Sequence, residues 1–287
     1  MVKRKKSCLR LVCCLLAAAA LVLLCVYALR DGLTVSEYEV SPDNLPSEMD
    51  GFRIALIADL HCARFGEKQS ELCGAVRELS PDLVVLCGDI LDSTLCDFEP
   101  VEELLQGLSG LTVIAVYGNH ENCLSYYDRA ELAELYDKYN VTLLEDDSVI
   151  LRTNGVSFCV SGAADPSCWG KNDLEYVMEH LPECYPAEGM FNLLLCHRAN
   201  IYPALSGLGF DLVLSGHLHG GQIRIPLVGG LISPSRELFP DYTSGVYSEN
   251  GSLLVVSRGL GNSIKIPRVF NPPEIVSVVL RAEQRAS

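Results

Sequence analysis

Short apolar runs at residues 54–58, 83–87, 113–117 and 191–196, and a strand-like segment at 211–214, each stop at glycine or at polar residues. Between and after the first three, residues 67–79, 99–108 and 125–139 space their apolar side chains three and four apart. That period marks one face of a helix, whereas an unbroken run of four to six apolar residues marks a strand buried on both faces. After residue 141 the pattern changes to short strands at 149–151 and 156–160, and strands return at 253–256 and 275–280. Mixed strands with helices before and after predict an α/β fold of two packed sheets covered by helices, a four-layer αββα sandwich. Pro42, Pro46 and Gly51 break structure ahead of the first core strand, so residues 30–50 read as a linker, 51–282 as the domain and 283–287 as a tail.

The ends of the runs carry the chemistry. Residues 54–58 lead into Asp59 and His61, residues 83–87 into Gly88-Asp89, residues 113–117 into Gly118-Asn119-His120, residues 191–196 into His197, and the segment 211–214 into Ser215-Gly216-His217-Leu218-His219-Gly220-Gly221. Glycines in the last of these let the backbone turn sharply and bring two imidazoles to one place. Asp59, Asp89 and Asn119 are 30 residues apart in both steps, about one strand-helix-strand repeat, so parallel strands would deliver them to the same sheet edge. Asp and Asn also begin ordinary turns, and any one position reads as well that way. Five of the chain's six histidines stand at strand ends, however, and the set reads as a metal site. The sixth, His180, lies in the charged stretch 173–183 and reads as a solvated helix residue. Imidazoles mixed with carboxylates and a carboxamide suit manganese, iron or zinc better than calcium or magnesium.

The series Asp59-Leu60-His61, Gly88-Asp89-Ile90-Leu91-Asp92, Gly118-Asn119-His120-Glu121, His197 and Gly216-His217-Leu218-His219 resembles the calcineurin-like metallophosphoesterases in order and spacing, over residues 50 to 282. Gly220-Gly221-Gln222-Ile223-Arg224-Ile225-Pro226, Ser257-Arg258-Gly259-Leu260-Gly261 and Asn271-Pro272-Pro273-Glu274-Ile275 look like the membrane-anchored bacterial branch that includes UDP-2,3-diacylglucosamine pyrophosphohydrolases. The resemblance implies two divalent ions, one held by Asp59, His61, Asp89 and His219, the other by Asp89, Asn119, His197 and His217. It implies that His120 donates to the departing oxygen and that Asp92 orients it; the alternative reading of Asp92 is a helix cap or first-turn acid ahead of Ser93-Thr94. Glu121 reads either as support for the ligands or as a surface acid. Arg64, Arg198, Arg224, Arg258, Lys265 and Arg268 are candidates for gripping phosphate. Ala58 stands where the family usually has serine, and Cys196-His197-Arg198-Ala199-Asn200 lacks the proline and acid that often follow this histidine; neither change removes a ligand.

Charge and the amino terminus set the surroundings. Lys3, Arg4, Lys5, Lys6 and Arg10 precede 19 uninterrupted apolar residues, 11–29, which as a helix would extend about 28 Å. They predict a basic segment at 1–10 and a single-pass anchor at 11–29, with the amino terminus cytoplasmic and the catalytic domain outside. A cleaved signal peptide is the alternative, but its apolar region is shorter and Val26-Tyr27-Ala28 offers a poor cleavage site. Beyond residue 30 there are 16 basic and 37 acidic residues, a formal charge of −21. Such a domain repels polyanions, so no nucleic acid is expected as a partner; no motif points to a protein partner. The expected substrate is a small or lipid-embedded phosphoester or pyrophosphate, with UDP-2,3-diacylglucosamine as the example. A secreted soluble phosphodiesterase and a silent metal-binding scaffold are the competing functions. The 13 cysteines show no ordered disulfide framework; Cys87, Cys159 and Cys196 read as small hydrophobes within strands.

Overall fold

The computed structural model describes residues 2–165, Glu179 and 186–282, the first ten of these as backbone only. The expected helix around His180 lies outside the described residues. Helix α1 (Val2–Ala28) comes first, and among the described residues no helix is long and apolar enough to cross a membrane.

Two six-stranded mixed sheets follow. The first contains β1 (Thr34–Val40), β2 (Arg53–Ile57), β3 (Leu83–Cys87), β4 (Val113–Val116) and β5 (Val141–Leu143), completed by β14 (Glu274–Leu280) in the order β1-β14-β2-β3-β4-β5. The second contains β6 (Asp147–Thr153), β7 (Val156–Ala163), β8 (Phe191–Arg198), β9 (Leu212–Gly216), β12 (Gly245–Glu249) and β13 (Ser252–Val256), in the order β12-β13-β9-β8-β7-β6. A two-stranded hairpin of β10 (Arg224–Ile225) and β11 (Gly229–Gly230) stands apart from both.

The sheets pack face to face because alternate side chains of each run point into one shared core. Ile54, Leu56, Val85 and Ile114 of the first sheet meet Val160, Leu193 and Leu214 of the second. The opposite face of the first sheet, Ile57, Val84 and Leu86, is covered by α2 (Ser70–Glu78), α3 (Glu99–Gly107) and α5 (Tyr126–Lys138) through Leu72, Leu104 and Leu132. The outer face of the second sheet, through Leu194 and Val213, packs on the short helical turns at 199–205. Burial on both faces explains why these strands read as continuous apolar runs.

Residues 30–50, expected as a linker, require a correction. Residues 34–40 form the edge strand β1, paired parallel to β14 from Thr34 opposite Glu274 to Val40 opposite Leu280. Its inward positions are Thr34, Ser36, Tyr38 and Val40, so the alternation is real but mostly polar. Ser36, two positions along from the Thr34–Glu274 pair, donates its hydroxyl to the buried Glu274 carboxylate at 2.5 Å.

Candidate metal centre

Strands β2, β3 and β4 run parallel, as do β7, β8 and β9, so their carboxyl ends open on one edge of the sandwich. There the chain leaves the sheets in strained turns. Asp59, His61, Asp89, His217 and His219 all hold positive φ, between 47° and 74°, a region that costs a non-glycine residue about 1 kcal/mol or more. The turns stay closed through backbone bonds between loops: Asp59 N–H donates to Gly88 O at 3.0 Å, and His61 N–H to Asp89 O at 2.9 Å. Gly216 is required here, because a Cβ would lie 2.6 Å from Asp59 Oδ2.

The side chains converge in two clusters. Asp59, His61 and His219 bring one potential ligand atom each within 4.8 Å of one another, as do Asp89, His197 and His217. His61 Nε2 lies 3.1 Å from His219 Nε2 and 3.7 Å from Asp89 Oδ2. His219 Nε2 lies 3.5 Å from Asp59 Oδ1, and His197 Nε2 lies 3.2 Å from Asp89 Oδ2. Asp89 therefore stands between the two clusters. His197 Nδ1 faces the Cys87 carbonyl at 2.8 Å; a carbonyl only accepts, so Nδ1 carries the proton and Nε2 is turned to the acids. Asn119 opens the helical turn α4 (Asn119–Asn122) just after β4.

The electrostatics fit cations. Asp59, Asp89, Asp92 and Glu121 are all buried, and buried carboxylate charge is costly unless paired. Burial pushes Asp59 up to about 6 against the pull of His197. Burial opposes ionisation of Asp89 too, but His197 and His61 beside it hold it well below the usual carboxylate range. His217 and His219 are kept neutral by burial and by neighbouring cationic groups, Arg198 beside the first, His61 and Arg268 beside the second. Neutral imidazoles with buried carboxylates are the donor set a divalent transition metal takes.

Asp92 and His120 lie side by side. Asp92 Oδ2 is 3.3 Å from His120 Nδ1 and 3.1 Å from His61 Nδ1, so one carboxylate serves two rings. Its Oδ1 accepts from Thr94 N–H at 2.8 Å and Leu95 N–H at 3.0 Å, so a turn-capping carboxylate also faces both rings. Ser93, which nothing in the sequence singled out, places its N–H and its Oγ each 3.2 Å from His120 Nδ1. Burial lowers His120 despite the nearby Asp89.

Glu121 is no surface acid. It is fully buried, and its carboxylate accepts four backbone N–H groups, from Asp89 at 2.8, Ile90 at 2.6, Leu91 at 3.0 and Gly118 at 2.8 Å. It thereby ties the loop after β3 to the loop after β4. Glu121→Ala leaves these donors buried without an acceptor, and a loss of about 3 kcal/mol or more is expected in chemical denaturation. A midpoint unchanged from wild type would refute that role.

The candidate phosphate cations divide. Arg64 is half-exposed and engaged by Glu99 and Glu103, away from the cluster. Arg258 is paired with Glu274, and Arg224 donates to Gly220 O at 2.9 Å. Lys265 is exposed. Arg198 and Arg268 do reach the site, each 3.3 Å from a ring nitrogen, of His217 and His219 respectively. Arg198 also binds Asp165 at 2.8 Å, while Asn271 holds the ligand loop by donating to His219 O at 2.7 Å. Cys87, Cys159 and Cys196 are buried thiols, whereas Cys123 is disulfide-bonded, a bridge that no cysteine spacing announces.

Comparison with known proteins bears on this arrangement. Residues 52–221 match the family model described as calcineurin-like phosphoesterase. The chain is 28% identical over 255 residues to the uncharacterized metallophosphoesterase YkuE of Bacillus subtilis, covering 87% of this chain and 86% of that one. It is 26% identical over 237 residues to the phosphodiesterase YaeI of Escherichia coli, covering 80% and 82%. It is also 27% identical over 272 residues to a transmembrane protein with metallophosphoesterase domain of Danio rerio, covering 86% of this chain and 57% of that one.

Proposed function

The chain belongs to the calcineurin-like phosphoesterase family, and from that premise we propose that it is a membrane-anchored phosphodiesterase or pyrophosphohydrolase acting on a lipid-linked substrate. It is a metal-dependent phosphoester hydrolase that uses two divalent ions. In the proposed assignment one ion is held by Asp59, His61, Asp89 and His219 and the other by Asp89, Asn119, His197 and His217. The observation that carries it is the position of Asp89, within 3.2 Å of His197 and 3.7 Å of His61, where a single carboxylate can serve both sites. When bound, such ions supply hydroxide at neutral pH and neutralise charge on the phosphoryl oxygens.

The chain's own residues do the rest. Asp92 and Ser93 engage His120 at Nδ1, so Nε2 is the nitrogen left to meet the departing oxygen, to which it gives a proton or a hydrogen bond as the phosphorus–oxygen bond breaks. Arg198 and Arg268 add positive charge beside the ligand rings and are candidates to receive substrate phosphate.

Membrane anchoring is supported by the apolar run 11–29, all but its last residue in α1, by the five basic residues before it and by the name of the Danio rerio relative. The disulfide at Cys123 favours an oxidising compartment, which agrees with a catalytic domain outside the cytoplasm. The lipid-linked substrate rests on the anchor and on the resemblance of residues 220–226, 257–261 and 271–275 to the pyrophosphohydrolase branch. The full chain in vesicles, supplied with manganese, is expected to cleave a vesicle-embedded lipid pyrophosphate in preference to bis-nitrophenyl phosphate. Turnover of soluble esters alone ends the lipid proposal.

Metal uptake should depend on pH. Burial disfavours a charged His197, but Asp89 outweighs it and raises the imidazole to about 10, so below that pH the metal-free ring carries a proton at Nε2. A metal-ligating imidazole nitrogen must be unprotonated, so His197 would have to give up that proton to hold an ion, and affinity is expected to fall about tenfold for each unit of pH lost. Titrating manganese into metal-free protein in weak buffer at pH 7 should release close to one proton from this ring. The same affinity at pH 6 and pH 8 would exclude the protonated state.

A further inference from the structure

A second apolar surface lies beside the end of α1. Leu24 and Tyr27 of the helix, Leu227 and Val228 at the tip of the β10–β11 hairpin, Phe239 and Phe270 line one cavity of about 930 Å³. The tip turns its side chains outward: Leu227 is fully exposed, Val228 and Leu238 are each about two-thirds exposed, and Phe239 is more than half exposed. Residues 225–232 carry no charge at all, in a domain whose formal charge is −21. Clustered exposed apolar groups of this kind are rare on a surface facing only water.

The surroundings identify what covers it. The patch continues the exposed apolar side chains of α1, among them Leu21, Leu24 and Val26. The helix end is fixed to the domain, with Phe270 N–H donating to Ala28 O at 2.6 Å and the Tyr27 and Phe270 rings 6.1 Å apart. The Arg30 guanidinium lies 4.7 Å over the Tyr27 ring. A tyrosine and an arginine closing an apolar helix are the pair that sits at a lipid headgroup boundary. Leu24, one turn back from Ala28, is about 6 Å deeper along the helix, within the depth that interfacial segments reach.

We propose that the hairpin tip, Leu227 and Val228 together with Leu238 and Phe239, inserts into a phospholipid leaflet beside α1 as a second membrane contact. The proposal rests on the anchored reading above. Its functional weight comes from what the hairpin is attached to. Leu231 N–H donates to Gly221 O at 3.2 Å, and a Cβ on Gly230 would come within 2.8 Å of Gly220 O, so the hairpin backs directly onto the loop that carries His217 and His219. Insertion of the tip fixes the height and tilt of that loop above the headgroups, which suits a phosphoester held at the bilayer surface.

The test uses full-chain Leu227→Trp in phosphatidylcholine–phosphatidylglycerol vesicles, with and without acyl-brominated lipid. The wild type, with its single tryptophan, gives the background. The emission added by the new tryptophan is expected to fall about twofold with brominated lipid, from a position within the acyl boundary. A carbonate wash of the same vesicles reports on α1 separately. Protein retained after the wash but with unquenched added emission overturns the insertion and leaves the anchor standing. Protein released by the wash yet quenched beforehand retains the insertion and removes the anchor. Release without quenching overturns both.

Discussion

Asp89→Asn is expected to lower kcat by about 10³-fold or more and to reduce bound metal from two ions to one or none. The carboxylate reaches towards His197 through Oδ2 and accepts the His120 N–H at 2.8 Å through Oδ1. Asparagine keeps an acceptor for that N–H and tolerates the positive φ of 54° at this position, so the loop should survive. What it cannot keep is the negative charge shared by two cation sites. Metal analysis on the purified variant, beside circular dichroism, separates loss of ions from loss of fold. A variant that retains two ions and full turnover would refute the shared-ligand assignment.

His120→Ala is expected to reduce turnover by about 10² to 10⁴-fold for esters with poor leaving groups, and far less for nitrophenyl esters. A nitrophenolate departs without a proton, whereas an alkoxide or a lipid phosphate gains most from a donor. Metal content should stay at two, since His120 is not among the proposed ligands. Its ring does lie with His61 and Asp89 in a third group of potential ligands. Loss of an ion in this variant would move His120 from proton donor to ligand, and an equal loss with every leaving group would remove the donor role.

Much of this was legible in the chain because buried parallel strands leave a plain signature. Residues 83–87 and 113–117 are apolar throughout since both faces of their sheet are covered, and the first polar residue afterwards marks where the chain leaves the sheet. Five histidines at such ends were enough to point to one edge. Strand β1 was not legible, because its inward positions are Thr34, Ser36 and Tyr38 and its partner β14 is more than 230 residues away. Glu121 could not be assigned from sequence, since a buried carboxylate is identified only by the backbone donors that gather round it. Ser93 gave no signal either, as its contact with His120 depends on how the loop after β3 folds over the following one.

The last strand has a consequence for how the enzyme comes into being. Strand β14 lies between β1 and β2, antiparallel to the latter, and Glu274 N–H is bonded to Gly259 O. From that point Leu260 and Gly261 donate to the carbonyls of Ala58 and Asp59, so the turn bearing Asp59 is latched by residues near the carboxyl end. Contacts so distant along the chain cost the most loop-closure entropy and cannot form before residues 259–261 and β14 have been made. Ion capture at Asp59 thereby depends on a strand made long after the turn it helps to latch.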